Sequence, residues 1–350
     1  GGSADEDGQD VEYTLVRGPN ACWRPLSLLR AFDALVSLCE YDNETRRILH
    51  LSLPFTLSAL VEAVAENVVV ALISLYVGTE AVAAYAVVDI VLEVTTELTM
   101  GVVDSESTLC SQAYGAGNSV LAGQYVQLCS VIYVLVQAPF VVAWSLFIYD
   151  ILFWLGFDEE TSQIGQDFAR VAVFVQVAVG LGEGYHNLLE VIGREVYSAG
   201  IGIVEGMVEL GMIAVATIVY RVDLITVAYI QLGVAVGFYG INVVITMYMG
   251  WMRPHLKGMV GSIAFKNRVA VAQVIKIAAP LAIGSILSYG EWEVLTLFAA
   301  HLGPAEVTTW AILGSIWDTF EASTEGIGDA SEVRCAYHLG KGNPHQARIS

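Results

Sequence analysis

Three carboxylates recur every fourth residue in the apolar stretch 87-VVDIVLEVTTELTMG-101: Asp89, Glu93 and Glu97. That spacing places them on one side of a helix. A denser run follows later in the chain, where Asp318, Glu321, Glu325, Asp329 and Glu332 stand three or four residues apart. Further acids interrupt apolar stretches at Glu62 and Glu66, Glu183 and Glu190, Glu205 and Glu209, and Glu291 and Glu293. At the centre of a membrane helix an apolar residue contributes about −0.3 to −0.6 kcal/mol, while an acid costs about 2.5 to 3.5. Three acids therefore nearly cancel an otherwise apolar span. Almost no base lies at matching depth, so salt bridges do not neutralise them. Protonation, exposure to a water-filled cavity, and binding of a cation remain, and all three describe a cation pathway. Asp104, Glu190, Asp329 and Glu332 lie near the ends of their stretches and read as solvated. Glu66, Glu93, Glu97, Glu291 and Glu321 lie deeper and read as functional, with Glu62 one turn from Glu66. Tyr85, Trp292, Trp310 and Trp317 offer aromatic faces on which a flat cation can stack, although packing and interface anchoring are the commoner uses of such residues.

The elements that must carry these acids follow from composition. Of 350 residues, 55% are hydrophobic and 15% charged, a balance typical of integral membrane proteins. Acids outnumber bases 36 to 16, which argues against a nucleic-acid partner. Cysteines 22, 39, 110, 129 and 335 have neither zinc-site nor disulfide-framework spacing, and no metal site is expected. The acidic start GGSADEDGQD has the composition of disordered chain, and no signal peptide is visible.

Apolar runs long enough for a membrane, roughly 20 residues each, occupy 48–77, 81–109, 122–150, 165–191, 196–220, 224–250, 270–300 and 306–333. Gly78, 156-GFDEE-160, Gly193, Arg221 to Asp223 and 253-RPHLKG-258 mark breaks between them. Most bases, Arg46, Arg47, Arg194, Arg253, Lys257, Lys266, Arg268, Lys276, Arg334, Lys341 and Arg348, fall on the side of the N-terminus, and only Arg170 and Arg221 on the other. Basic flanks stay cytoplasmic. The N-terminus is therefore expected there, and the sequon 43-NET-45 is expected to stay unglycosylated. Residues 21–41 read as an interfacial helix.

The chain also repeats itself. GVVDSESTLCSQAYGAGN from Gly101 and GIGDASEVRCAYHLGKGN from Gly326 share Gly101, Asp104, Cys110, Gly115, Gly117 and Asn118 with Gly326, Asp329, Cys335, Gly340, Gly342 and Asn343, each pair 225 apart. At an offset of 226, 51-LSLPFTLSAL-60 matches 277-IAAPLAIGSI-286. An even number of spans between copies makes the repeats parallel. The expected fold class is an all-α polytopic membrane protein with one complete six-helix bundle and the first two helices of a second, pseudo-symmetric one. Its divisions are a cytoplasmic N-terminal region over 1–45, a first lobe over 46–252, an inter-lobe loop over 253–269 and a partial second lobe over 270–350. The chain thus reads as a fragment of a roughly twelve-helix protein, or a degenerate one. The Gly-x-Gly-Asn turns suit places where a helix ends abruptly, since Gly tolerates positive φ and Asn is the next most tolerant. Gln112 and Arg334 are assigned the same structural role.

These residues resemble a family. The run 108-TLCSQAYGAGN-118 is similar to the signature after the second helix of multidrug and toxic compound extrusion (MATE) transporters of the eukaryotic branch, and 333-VRCAYHLGKGNPHQAR-348 resembles the end of their eighth helix. The pair 291-EW-292 looks like the Glu-Trp of their seventh helix. Departures are Thr296 in place of a second acid, and Thr324 and Glu325 where Pro-Ala is common. The resemblance implies a secondary antiporter that exports organic cations or toxic metabolites in exchange for protons, or else sodium, with no cofactor. Glu291 would be the coupling acid, and Glu306 aligns with an eighth-helix acid of some members. Expected partners are a small organic cation and the bilayer of the plasma membrane or a vacuolar membrane, with no obligate protein partner. A lipid-linked flippase of the same superfamily would want a more basic cavity, and an acid-lined channel would not need two unequal copies. No P-loop, His-Glu-x-x-His or Gly-x-Ser-x-Gly motif supports an enzyme, and His50, His186 and His301 are scattered.

Overall fold

The computed structural model describes residues 43–261, 264–302 and 304–350, and over 289–325 a subset of side chains. The acidic start, the helix expected over 21–41, Cys22 and Cys39 lie outside the described residues, as does the side chain of Glu306. Eight long helices follow the eight apolar runs: α1 Asn43–Leu72, extended by a wider turn Ile73–Val77, α2 Thr79–Gly115, α3 Ser119–Trp154, α4 Glu159–Val191, α5 Glu195–Val215 with a wider turn Ala216–Tyr220, α6 Leu224–Tyr248, α7 Arg268–Leu302 and α8 Pro304–Gly340. A short α9, Pro344–Ile349, closes the chain, and no strand occurs among the described residues.

By length and composition α1, α3, α4, α5, α6 and the Arg268–Trp292 part of α7 suit a membrane crossing. Helices α2 and α8 are the longest, at 37 residues each, or about 55 Å at 1.5 Å per residue. What separates them from the others is their acids. The protein is an all-α polytopic membrane protein whose α1 to α6 form a six-helix bundle and whose α7 and α8 repeat α1 and α2.

The repeat explains how the copies meet. Helix α1 packs on α8, α2 on α7, and α2 on α8. Glycines allow these crossings. A β-carbon at Gly115 would overlap the carbonyl oxygen of Tyr337, and one at Gly340 would overlap that of Gln112. Both pairs are the same contact seen from the two copies, because Gln112 and Tyr337 are also 225 apart. Likewise Gly101 lies against the backbone of Ala282, and Gly326 against that of Thr56. Gly115 and Gly340 thus serve close helix approach and not turn geometry. The turn falls to Gly117 and Gly342, both at φ 74°. The following asparagines take φ of −104° and −111° and cap the next helices, Asn118 Oδ1 accepting from Leu121 N at 3.0 Å and Asn343 Oδ1 from Gln346 N at 3.3 Å. Their role is capping, which satisfies orphan N–H groups, rather than tolerance of positive φ.

After α6 the chain folds back onto α3. His255 is 2% exposed and its Nδ1 donates to the Ser119 carbonyl oxygen at 3.0 Å. Burial holds this histidine below its usual range, opposed by the backbone hydrogen bond. A base whose folded pKa is depressed contributes stability that is complete above about pH 6.5 and falls as pH drops through that value.

Two predictions follow from these packing facts. Gly115→Leu and Gly340→Leu each destabilise by at least about 1–3 kcal/mol through overpacking, read as a lower melting temperature in detergent, whereas Gly211→Ala, with open space around it, gains about 0.5–1 kcal/mol. Acidification from about pH 7.5 to about pH 5.5 lowers the hydrogen-exchange protection of residues 253–261, taken relative to the intrinsic rate at each pH, in the wild type and not in His255→Gln.

Candidate functional site

Inside the first bundle, buried apolar side chains form two separate clusters. One, towards the Gly117 turn, holds Leu109, Cys110, Leu128, Cys129 and Leu188. The other, towards the opposite end, holds Ile73, Ala84, Val88, Leu152 and Phe168. On α2 the clusters stop at Met100 and Leu92, so Glu93, Thr95, Thr96, Glu97 and Thr99 fall between them. On α1, Glu62 and Glu66 precede Val69 of the second cluster. On α5, Glu205 and Glu209 precede Leu210. On α2 the acids therefore form a polar belt between two apolar layers, and those of α1 and α5 border the second layer.

In and beside that belt the carboxylates act on one another. Glu66 and Glu93 both exert their charge on Asp89. Glu209, Glu62 and Glu183 act on Glu205, and Gln231 Nε2 donates to Glu209 Oε1 at 3.3 Å. Glu62, Glu66 and Glu93 are exposed, while Asp89 and Glu97 are half-buried. Two like charges about 4 Å apart repel by about 4 kcal/mol at an effective dielectric near 20. Threonines of the belt satisfy themselves locally: Thr95, Thr96 and Thr99 donate to carbonyls one turn back on α2, and Trp144 Nε1 donates to Thr95 Oγ1 at 2.8 Å.

Elsewhere the sequence-derived candidates enter different surroundings. Glu291 is exposed on α7. Its neighbour Trp292 lies 5.1 Å from Trp310 and 6.0 Å from Trp317, ring centre to ring centre. Trp317 Nε1 donates to Glu321 Oε2 at 3.0 Å. The second copy thus gathers three indoles, of which Trp317 holds Glu321, whereas Glu66, 225 residues before Glu291, exerts its charge on Asp89. Tyr85 is 6% exposed and packs 5.4 Å from Phe168, so its ring is part of the bundle interior and not an open face for a cation.

Several positions read as solvated, or not singled out, are engaged. Glu332 accepts from Thr108 Oγ1 at 2.6 Å, tying α8 to α2. Glu190 Oε1 accepts from Ser198 Oγ at 3.2 Å, Ser198 Oγ lies 2.7 Å from His186 Nδ1, and His186 Nε2 lies 3.3 Å from Asn242 Nδ2. Tyr197 completes this chain on Asn242 Oδ1 at 3.2 Å. Glu106 is 1% exposed, with Oε1 lacking a hydrogen-bond partner and Oε2 set against Gly184, where a β-carbon would come within 2.9 Å. No spacing rule marks Glu106. Its burial depends on a glycine 78 positions away on α4. Arg334 is no turn residue, since its guanidinium pairs with Glu44.

The sequence of these helices matches a known family pattern. The MatE family pattern covers residues 54–211 and 280–350. The chain belongs to the MatE family. It is 24% identical over 318 residues to an uncharacterized transporter of Saccharomyces cerevisiae, covering 89% of this chain and 44% of that protein. It is 23% identical over 252 residues to multidrug and toxin extrusion protein 2 of Mus musculus, covering 71% and 43%, and 23% identical over 277 residues to protein DETOXIFICATION 39 of Arabidopsis thaliana, covering 79% and 54%. This chain therefore spans about half the length of these relatives. Its fold superposes on a crystal structure of MATE in complex with MaD3S with a TM-score of 0.76 at 15% identity, covering 89% of this chain and 70% of that one. The eukaryotic MATE transporter AtDTX14 gives 0.73 at 19% identity, covering 87% and 68%. MatE is a family of transporters.

The charges of Glu66 and Glu93 acting on Asp89 predict that Asp89→Asn raises stability, by about 0.5–2 kcal/mol as substitutions at strained functional sites do, measured as an increase in melting temperature at low salt that shrinks in high salt.

Proposed function

We propose that this MatE protein is part of a secondary antiporter that moves organic cations against protons by alternating access. The single observation supporting it most is the acid belt between two apolar layers of the first bundle. Protons entering from the non-cytoplasmic side, with the N-terminus cytoplasmic, compete with the substrate cation for the carboxylates. Glu62, Glu66, Glu93 and Glu97 serve in the first bundle, and Glu291, Glu306 and Glu321 in the second copy. Protonation of Glu291 removes charge that holds the substrate and releases it. The indoles of Trp292, Trp310 and Trp317 stack on a flat cation, a contact of about 0.5–2 kcal/mol for each ring engaged. Names of the mouse and Arabidopsis relatives, multidrug and toxin extrusion and DETOXIFICATION, agree with this substrate class. Sodium is the alternative coupling ion.

The test is uptake of a fluorescent organic cation into proteoliposomes driven by a pH gradient. Gradient-driven uptake by the wild type is expected, with a loss of roughly tenfold or more in Glu291→Gln and in Glu66→Gln, as for removal of a proton-transfer group. Uptake that needs a sodium gradient would reassign the coupling ion. Equal transport by wild type and both variants would overturn the carboxylate assignment, and gradient-independent leakage of small cations would favour a channel.

A further inference from the structure

Where α1 crosses α8, the two copies are joined by buried charge. Arg334 on α8 donates from Nε to Glu44 Oε1 at 2.6 Å and from Nη2 to Glu44 Oε2 at 3.0 Å. His338, one turn on, places Nε2 3.1 Å from Glu44 Oε1 and 3.0 Å from Arg334 Nη2. Glu44, Arg334 and His338 are 8%, 7% and 7% exposed. A two-pronged guanidinium–carboxylate contact of this kind fixes both helices in one register. The Arg334 guanidinium also lies 5.1 Å from the centre of the Tyr337 ring, whose backbone is the partner of Gly115 in the seam.

The repeat supplies an internal control. At the offsets of 225 and 226, Arg334, His338 and Glu44 correspond to Leu109, Ala113 and Ala270. Those three residues lie where α2 crosses α7, and they are buried members of one apolar cluster, 1%, 4% and 2% exposed. The same crossing is therefore built twice, once as an apolar weld and once as an ionic clasp. The two differ in what happens when they part. An apolar contact loses its stabilisation on meeting water. A buried ion pair is nearly balanced, because the attraction gained on closing is offset by lost hydration, and hydration is regained on opening. An ionic crossing is thus suited to a contact that must form and break, and an apolar one to a contact that stays.

We infer that Glu44, Arg334 and His338 form a releasable clasp that holds the two copies together at the basic end of the helices, while the Leu109–Ala113–Ala270 contact is the fixed side about which they part. This inference rests on the alternating-access reading, in which that end must open once per cycle. It makes the three residues positioning residues of transport.

The experiment measures separation directly and needs neither substrate nor gradient, so it stands whether or not proton coupling does. Spin labels are attached at Val196→Cys on α5 and His345→Cys on α9, both exposed, in the full chain with its own cysteines replaced, and their distance distribution is recorded by pulsed electron resonance. The unmodified clasp gives a mainly short distance. Glu44→Gln raises the ratio of long to short distance by about tenfold or more, and the reversed pair E44R/R334E returns it towards the starting value. The variant E44A/R334L/H338A, which copies the apolar side, abolishes the long distance and raises the melting temperature. Because that variant is expected to be more stable and the reversed pair to be rescued, misfolding of a single substitution does not imitate the result. Unchanged distances in Glu44→Gln, no recovery in the reversed pair, or a long distance persisting in the apolar variant would each overturn the clasp.

Discussion

The arrangement depends on carboxylates placed among apolar residues with few bases at their depth. Such a chain folds only if apolar packing is concentrated where the acids are not. The two clusters of the first bundle do this. One is built around Leu109, Leu128 and Leu188 and the other around Ile73, Val88 and Phe168. Between them α2 presents Glu93, with Glu62 and Glu66 of α1 and Glu205 and Glu209 of α5 bordering the second cluster, and the local threonines turn their hydroxyls back on their own helix. Stability therefore comes from the two ends and charge is carried in the middle. In that division the apolar layers hold the helices in place while the acids lie outside the close packing.

Duplication acts as a second constraint. Two parallel copies can meet only if each offers the other a surface it can approach, and the glycines at 101, 115, 326 and 340 provide it by letting backbones come into contact. The seam is symmetric in its glycines and asymmetric in its side chains. Where one copy has Leu109 and Ala113, the other has Arg334 and His338 facing Glu44. Gene duplication accounts for the common backbone, and the divergence of these few side chains gives the two crossings different responses to water. The candidate residues are asymmetric in the same way, with Glu66 and Glu93 acting on Asp89 in the first copy and Glu321 held by Trp317 in the second.

Much of this was legible in the sequence, and the reason is local. Helices in an apolar medium must satisfy their own backbone hydrogen bonds, so their number and approximate ends follow from hydropathy, and the breaks at Gly78, Gly193 and Arg221 to Asp223 coincide with helix ends. The repeat followed from identity at fixed offsets. Family membership followed from the two glycine signatures and the Glu-Trp pair. The acid stripe on α2 needed only a period of 3.6.

Tertiary structure decided what depends on helices far apart in the chain. Spacing put Asp89, Glu93 and Glu97 on one face, but only the packing of α1, α2 and α5 brought Glu66 towards Asp89 and Glu62 towards Glu205. Packing also turned Tyr85 from a candidate cation face into a buried ring, enclosed Glu106 beside Gly184, and drew Glu190 into a chain with Ser198 and His186. Gly115 and Gly340, read from sequence as turn residues, became points of helix contact, and Arg334 found Glu44 across 290 residues. A sequence records which groups a helix face carries. Which faces meet is set by the close packing of side chains across the bundle, and that information is distributed over every helix at once.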